Sequence, residues 1–112
     1  MALKRFLINK YTKDDDGRDA DHLGKTMGKY NLQHGSGKYD GELLNGEPHG
    51  YGVAIYPGGM RYEGHWRNCL RHGYGVEVFT NGSFFEGVFA FGSRSGNGTF
   101  HFSDGSVETG EW

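Results

Sequence analysis

From Tyr39 onward, apolar and polar residues alternate in short runs, and glycines break those runs at a fixed spacing. In Tyr62-Glu63-Gly64-His65-Trp66 the two rings share one side of an extended chain, with Gly64 between them. Glu63, His65 and Arg67 point the other way. A glycine between two aromatics leaves a slot for a neighbouring ring or backbone. Tyr74-Gly75-Val76-Glu77-Val78-Phe79 predicts a second strand, rich in β-branched and aromatic residues. Asn68 to Gly73 is expected to be the turn between them. Thr80-Asn81-Gly82-Ser83 then turns into the next pair of strands, with Asn-Gly placed where a tight hairpin wants positive φ. Asp104-Gly105 and Gly58-Gly59 play the same part in the flanking segments.

The pattern repeats every 23 residues. Tyr39-Asp-Gly41, Tyr62-Glu-Gly64, Phe85-Glu-Gly87 and Glu108-Thr-Gly110 open successive units, and Leu43, Trp66, Phe89 and Trp112 hold the fifth position. Eleven residues in stands a G-x-G pair: Gly50 and Gly52, Gly73 and Gly75, Gly96 and Gly98. Gly59, Gly82 and Gly105 close the units, three residues after Tyr56, Phe79 and Phe102. Three complete units therefore run 39–61, 62–84 and 85–107, followed by a single strand over 108–112. The expected fold is all-β: an elongated single antiparallel sheet of six or seven strands, built from consecutive hairpins.

Tyr39-Asp-Gly-Glu-Leu-Leu-Asn-Gly-Glu-Pro-His-Gly-Tyr-Gly-Val-Ala-Ile-Tyr-Pro-Gly-Gly-Met-Arg61 resembles the MORN (membrane occupation and recognition nexus) repeat. The resemblance covers residues 39–112. It implies a twisted, groove-like antiparallel sheet and a scaffolding role in cytoskeletal, ciliary or membrane-associated assemblies. The units depart from one another at two places. Cys69 stands where the others have Gly46 and Gly92; if φ is positive there, a side chain costs about 1 kcal/mol. Ser93-Arg94-Ser95 replaces Glu47-Pro48-His49 and Leu70-Arg71-His72, so the histidine is not a requirement of the array. Upstream, His34-Gly-Ser-Gly37 echoes the His-Gly-x-Gly core, and residues 31–38 read as the relic of a shortened repeat. Residues 1–30 show no repeat and read as an irregular or short-helical arm.

The composition agrees with many short strands joined by tight turns. Glycine occurs 21 times among 112 residues without a collagen register, beside 8 Phe, 7 Tyr and 2 Trp. Charge divides the chain. Residues 1–38 hold eight Lys/Arg and five Asp, a net of +3, whereas residues 39–112 hold four Arg and nine acids, a net of −5. The repeat region thus repels nucleic acid and anionic lipid, and membrane binding is left to the basic residues 1–13. The N-terminal stretch has no apolar core of a secretory signal. It leaves a mitochondrial targeting peptide as an alternative to a cytoplasmic, cytoskeletal or ciliary location. Cys69 is the one cysteine, so no internal disulfide forms.

Catalytic and cofactor chemistry finds little support in these residues. Six histidines are present, and His49 and His72 occupy equivalent positions, but no further ligand recurs with them to complete a zinc site. Cys69 with His72 is a bare C-x-x-H. Asp14 to Asp21 fails as an EF-hand loop, because Thr12 and Leu23 fall at the first and last ligand positions. The G-x-G pairs lie in hairpins and lack the strand-to-helix setting of a phosphate loop. No cofactor is expected, and the chain is expected not to be an enzyme.

The aromatic stripe is the candidate surface. Tyr39, Leu43, Tyr56, Tyr62, Trp66, Phe79, Phe85, Phe89, Phe102 and Trp112 should line one face, either packed together or open to a partner protein. Leu3, Phe6 and Leu7 have helical spacing among basic residues, and too short a helix to stand alone, so docking is expected there also. The strand ending at Trp112 leaves an open edge suited to strand addition or homo-association. The leading function is a structural or adaptor subunit binding proteins of a larger assembly. A peripheral acidic-phospholipid module and an accessory subunit of an enzyme complex are the alternatives.

Overall fold

The computed structural model describes residues 24–32 and 36–112. Eight strands follow in order: β1 (Lys25–Asn31), β2 (Lys38–Leu44), β3 (Glu47–Ile55), β4 (Arg61–Arg67), β5 (Leu70–Val78), β6 (Phe84–Ala90), β7 (Ser93–His101) and β8 (Val107–Glu111). They form one open antiparallel sheet in chain order, each strand beside its sequence neighbours. The expected meander of hairpins is therefore present, with more strands than expected. The additional strand is β1, which lies largely inside the stretch read as an arm. Gly28 pairs with Gly41 as Gly52 pairs with Gly64. The repeat therefore reaches back beyond residue 31, and Thr26-Met27-Gly28, rather than His34-Gly-Ser-Gly37, stands in the G-x-G place.

Two kinds of turn alternate. The turns within a unit are two residues long, and both residues have positive φ: Asn45 and Gly46 at 52° and 82°, Asn68 and Cys69 at 51° and 70°, Phe91 and Gly92 at 52° and 92°. These are the mirror-image turns whose twist suits a hairpin. The connection after β4 is consequently Asn68-Cys69 alone; Leu70 to Gly73 already belong to β5. The turns between units are longer. Tyr56, Phe79 and Phe102 each accept a bond from the glycine three residues on, at 2.9–3.0 Å. There Gly59, Gly82 and Gly105 take positive φ, as does Gly58 in the first of these turns, whereas Asn81 and Asp104 act through their side chains. Each Oδ1 receives the N–H and the hydroxyl of the serine two residues later, at 2.9 and 2.6 Å. The same two bonds hold the Asp104 carboxyl below its ordinary pKa.

One row of glycines crosses the entire sheet. Gly28, Gly41, Gly52, Gly64, Gly75, Gly87, Gly98 and Gly110 are each paired with the next, strand by strand. Just past this row, every pair within a unit shifts register, between Gly41 and Leu43, Gly64 and Trp66, and Gly87 and Phe89. The row lies on the side that carries the rings, and it makes a trough in which they lie flat. A Cβ on Gly52 would overlap the ring of Tyr39, and one on Gly98 the ring of Phe85.

Candidate binding surface

The ring face is mostly a core. Tyr39, Tyr62, Phe85, Phe89, Trp66 and Leu43 are all buried. Six rings meet edge to face in an unbroken series along the sheet: Tyr39–Trp66 at 5.0 Å, Trp66–Tyr62 at 5.2 Å, Tyr62–Phe89 at 5.1 Å, Phe89–Phe85 at 5.7 Å and Phe85–Trp112 at 4.8 Å. This geometry places ring edges on ring faces, worth about 0.5–1.5 kcal/mol per pair beyond the burial itself. Among the described residues a single sheet thus obtains its core from one face, with no second layer.

The polar atoms of these rings are satisfied by backbone. The Tyr62 hydroxyl donates to the His65 carbonyl at 2.8 Å, the Tyr39 hydroxyl to the Glu42 carbonyl at 2.5 Å, and the Trp66 indole to Gly52 at 3.1 Å. Burial raises the pKa of both phenols well beyond the usual tyrosine value. Of the two open possibilities for the stripe, packing therefore accounts for Tyr39, Leu43, Tyr62, Trp66, Phe85 and Phe89. Tyr56 and Phe79 are half-buried, and Phe102 and Trp112 are exposed at 43% and 39%. Leu3, Phe6 and Leu7 lie outside the described residues.

An ion network sits among the rings. The two Glu77 oxygens take one arginine each, Arg71 Nη1 at 2.6 Å and Arg94 Nε at 2.7 Å. Arg71 lies 4.9 Å above the Tyr56 ring and 4.8 Å above Tyr62, and its Nε donates to the Tyr56 hydroxyl at 3.1 Å. Burial alone would lower the Arg71 pKa, but Tyr56 and Glu77 hold it above its ordinary value. Arg94 lies 4.3 Å above Phe85. The sequence does carry a signal for this network: Arg71 and Arg94 are 23 residues apart, and each is an even number of residues from its G-x-G pair, on the ring side of the strand. Assigning residues 68–73 to a turn conceals it.

What the core leaves open is a groove of about 450 Å³ on the ring face, lined by Tyr30, Leu32, Tyr56, Trp66, Leu70 and Arg71 among others. Tyr30 comes from β1, which is why the aromatic stripe read from the sequence supplies only two of its walls, Tyr56 and Trp66. Cys69 lies at the same place, its Sγ 3.7 Å from the Tyr30 hydroxyl. On the opposite face Glu63 and His65 are buried, and Arg61 pairs with Glu63 at 2.5 Å. Burial, with the Glu63 charge nearby, pushes the Tyr51 phenol up to about 12. His72 rests on Phe91 at 5.7 Å and His101 on Phe84 at 4.2 Å. Among the described residues no three His, Cys, Asp or Glu side chains converge to hold a metal ion.

The MORN repeat pattern matches at four consecutive places, residues 29–40, 39–61, 62–84 and 85–107. This chain belongs to the MORN repeat family. The three longer matches coincide with the 23-residue units, and the first, shorter match begins within β1. MORN repeats are generally non-catalytic and fit a protein-interaction or membrane-binding module. No curated protein matches the chain with significance.

Proposed function

We propose that this MORN array is a non-catalytic adaptor which seats apolar side chains of a partner protein in the ring-face groove, as part of a cytoskeletal or ciliary assembly. The groove carries this reading. It is the place where the aromatic face is incomplete, and Leu70 on its rim is 45% exposed. Its volume accommodates one or two large apolar side chains, and Arg71 and the Tyr30 hydroxyl offer polar contacts at its wall. The net charge of −5 over residues 39–112 disfavours an anionic lipid surface as the ligand of this face. The cytoskeletal or ciliary setting rests on family likeness alone.

Peptide display against the whole chain tests the proposal, with counter-selection on Leu70→Asp. Selected peptides should share a large apolar anchor and lose binding to the variant, and the chain should stay in solution with anionic vesicles at moderate salt. Peptides that bind the variant equally well, or salt-resistant vesicle binding, would contradict it.

A further inference from the structure

Among the described residues, β1 and β8 flank the sheet and each is paired along one side only. They are different halves of one repeat. β8 stands as β2, β4 and β6 do, as the first strand of a unit: Gly110 and Trp112 follow Gly87 and Phe89 by one period. β1 stands as β3, β5 and β7 do, as a second strand. It pairs forward with β2 without the register shift that marks strands of the same unit, just as β3 pairs with β4. One flank thus presents a first strand and the other a second strand, the two halves of a 23-residue hairpin.

We infer that the chain associates head to tail, β8 of one copy pairing antiparallel with β1 of a second copy, with Gly110 opposite Gly28. That register sets Thr109 opposite Lys29 and Glu108 opposite Tyr30. It repeats the pairing already made by Gly41 with Gly52, Asp40 with Val53 and Tyr39 with Ala54. The row of eight glycines then runs on into the next molecule.

The backbone groups are in step for this. Trp112 and Gly96 exchange both of their hydrogen bonds, at 2.8 and 3.1 Å. Antiparallel alternation therefore turns the N–H and C=O of Glu111, Thr109 and Val107 to the open side of β8. On the other flank, Leu32 donates its N–H to Gly37 at 2.9 Å. By the same alternation Asn31, Lys29, Met27 and Lys25 face outward from β1. Thr109 and Lys29 become a doubly bonded pair at the centre of the junction.

The side chains select this pairing over the symmetric ones. β8 carries Glu108 and Glu111 and no cation, whereas β1 carries Lys25 and Lys29 and no acid. Joining β8 to β8, or β1 to β1, opposes like charges, a device by which exposed strand edges reject self-pairing. Head to tail, Glu111 comes to lie between Lys25 and Lys29 of the second copy. Its counterpart three units earlier in the sheet is Glu42 of β2, which accepts the N–H of Tyr51 on the following strand at 3.1 Å. The contact is heterologous, so copies add in one direction.

Sedimentation velocity of the whole chain over a range of concentrations tests this independently of the groove. The average mass should rise with concentration. Glu111→Lys and Lys29→Glu should each weaken association by about tenfold. An equimolar mixture of the two variants should recover it, because the reversed edge of one then meets the reversed edge of the other. Thr109→Pro, which removes an outward N–H and no internal backbone bond, should abolish growth. A concentration-independent monomer, indifference to both charge reversals, or a mixture no better than its components would overturn the inference. None of these results bears on peptide binding at the groove, so the two proposals fail separately.

Discussion

The ring of Tyr62 lies across Gly75 so closely that a single methyl at that position would overlap it. Gly75 does not need its freedom of φ; its backbone is ordinary strand, and the requirement is for empty space. Gly75→Ala should therefore destabilise by about 1–3 kcal/mol through overpacking. Urea denaturation gives the shift in midpoint. Gly82→Ala, with nothing within 4 Å of its Cβ and φ at 93°, is the contrasting case, costing about 1 kcal/mol from backbone strain alone.

Cys69 and Phe91 sit in turn positions with positive φ that glycine and asparagine fill in neighbouring units. Replacing each by its counterpart, Cys69→Gly and Phe91→Asn, should relieve strain. Each is expected to raise stability by roughly 0.5–1 kcal/mol, read as an upward shift in thermal midpoint. Phe91 is 80% exposed, so its removal gives up little burial.

The strain at Cys69 is legible in the sequence, because the 23-residue register by itself sets Cys69 against Gly46 and Gly92. The repeat boundaries, the hairpin meander and the membership of the aromatic stripe are legible for the same reason. β1 is not. Thr26 replaces the first glycine of the G-x-G pair, and Gly28 precedes Gly41 by one residue more than Gly52 precedes Gly64, so the period breaks where the strand continues. Whether the stripe is core or surface is equally hidden. That depends on rings from adjacent units meeting edge to face across the glycine row, a distance in space that alternation along one strand does not contain.

Glu77 holds two arginines that are themselves pressed against rings. Glu77→Gln should leave Arg71 unpaired in a largely enclosed setting, at a cost of about 2–3 kcal/mol, less than for a fully buried pair because Arg94 is partly solvated. Arg94→Ala, which leaves the Arg71–Glu77 pair intact, should cost less. Chemical denaturation of both variants orders the two effects.

Tyr39 and Tyr62 have pKa values raised by burial in the folded chain, and Tyr51 is pushed up to about 12. Their protons are held more tightly folded than unfolded. Stability is therefore fully present below the ordinary tyrosine pKa of about 10 and is lost as pH rises beyond it toward the folded values. Thermal midpoints should fall steadily above that pH. A tyrosinate absorbance titration should show these three phenols, of seven tyrosines, ionising above the ordinary range or together with unfolding.

The two tryptophans occupy equivalent positions in units 46 residues apart, yet Trp66 is 4% exposed and Trp112 39% exposed. That contrast isolates the central claim, that the aromatic stripe is the core of the sheet. Acrylamide quenching of fluorescence in Trp112→Phe, where Trp66 is the sole reporter, measures it directly. The account predicts a shielded indole, quenched far more slowly than Trp112 is in Trp66→Phe. Quenching of Trp66 at the rate of an open surface indole, in a variant that still unfolds cooperatively, would mean the stripe is exposed and the account is wrong.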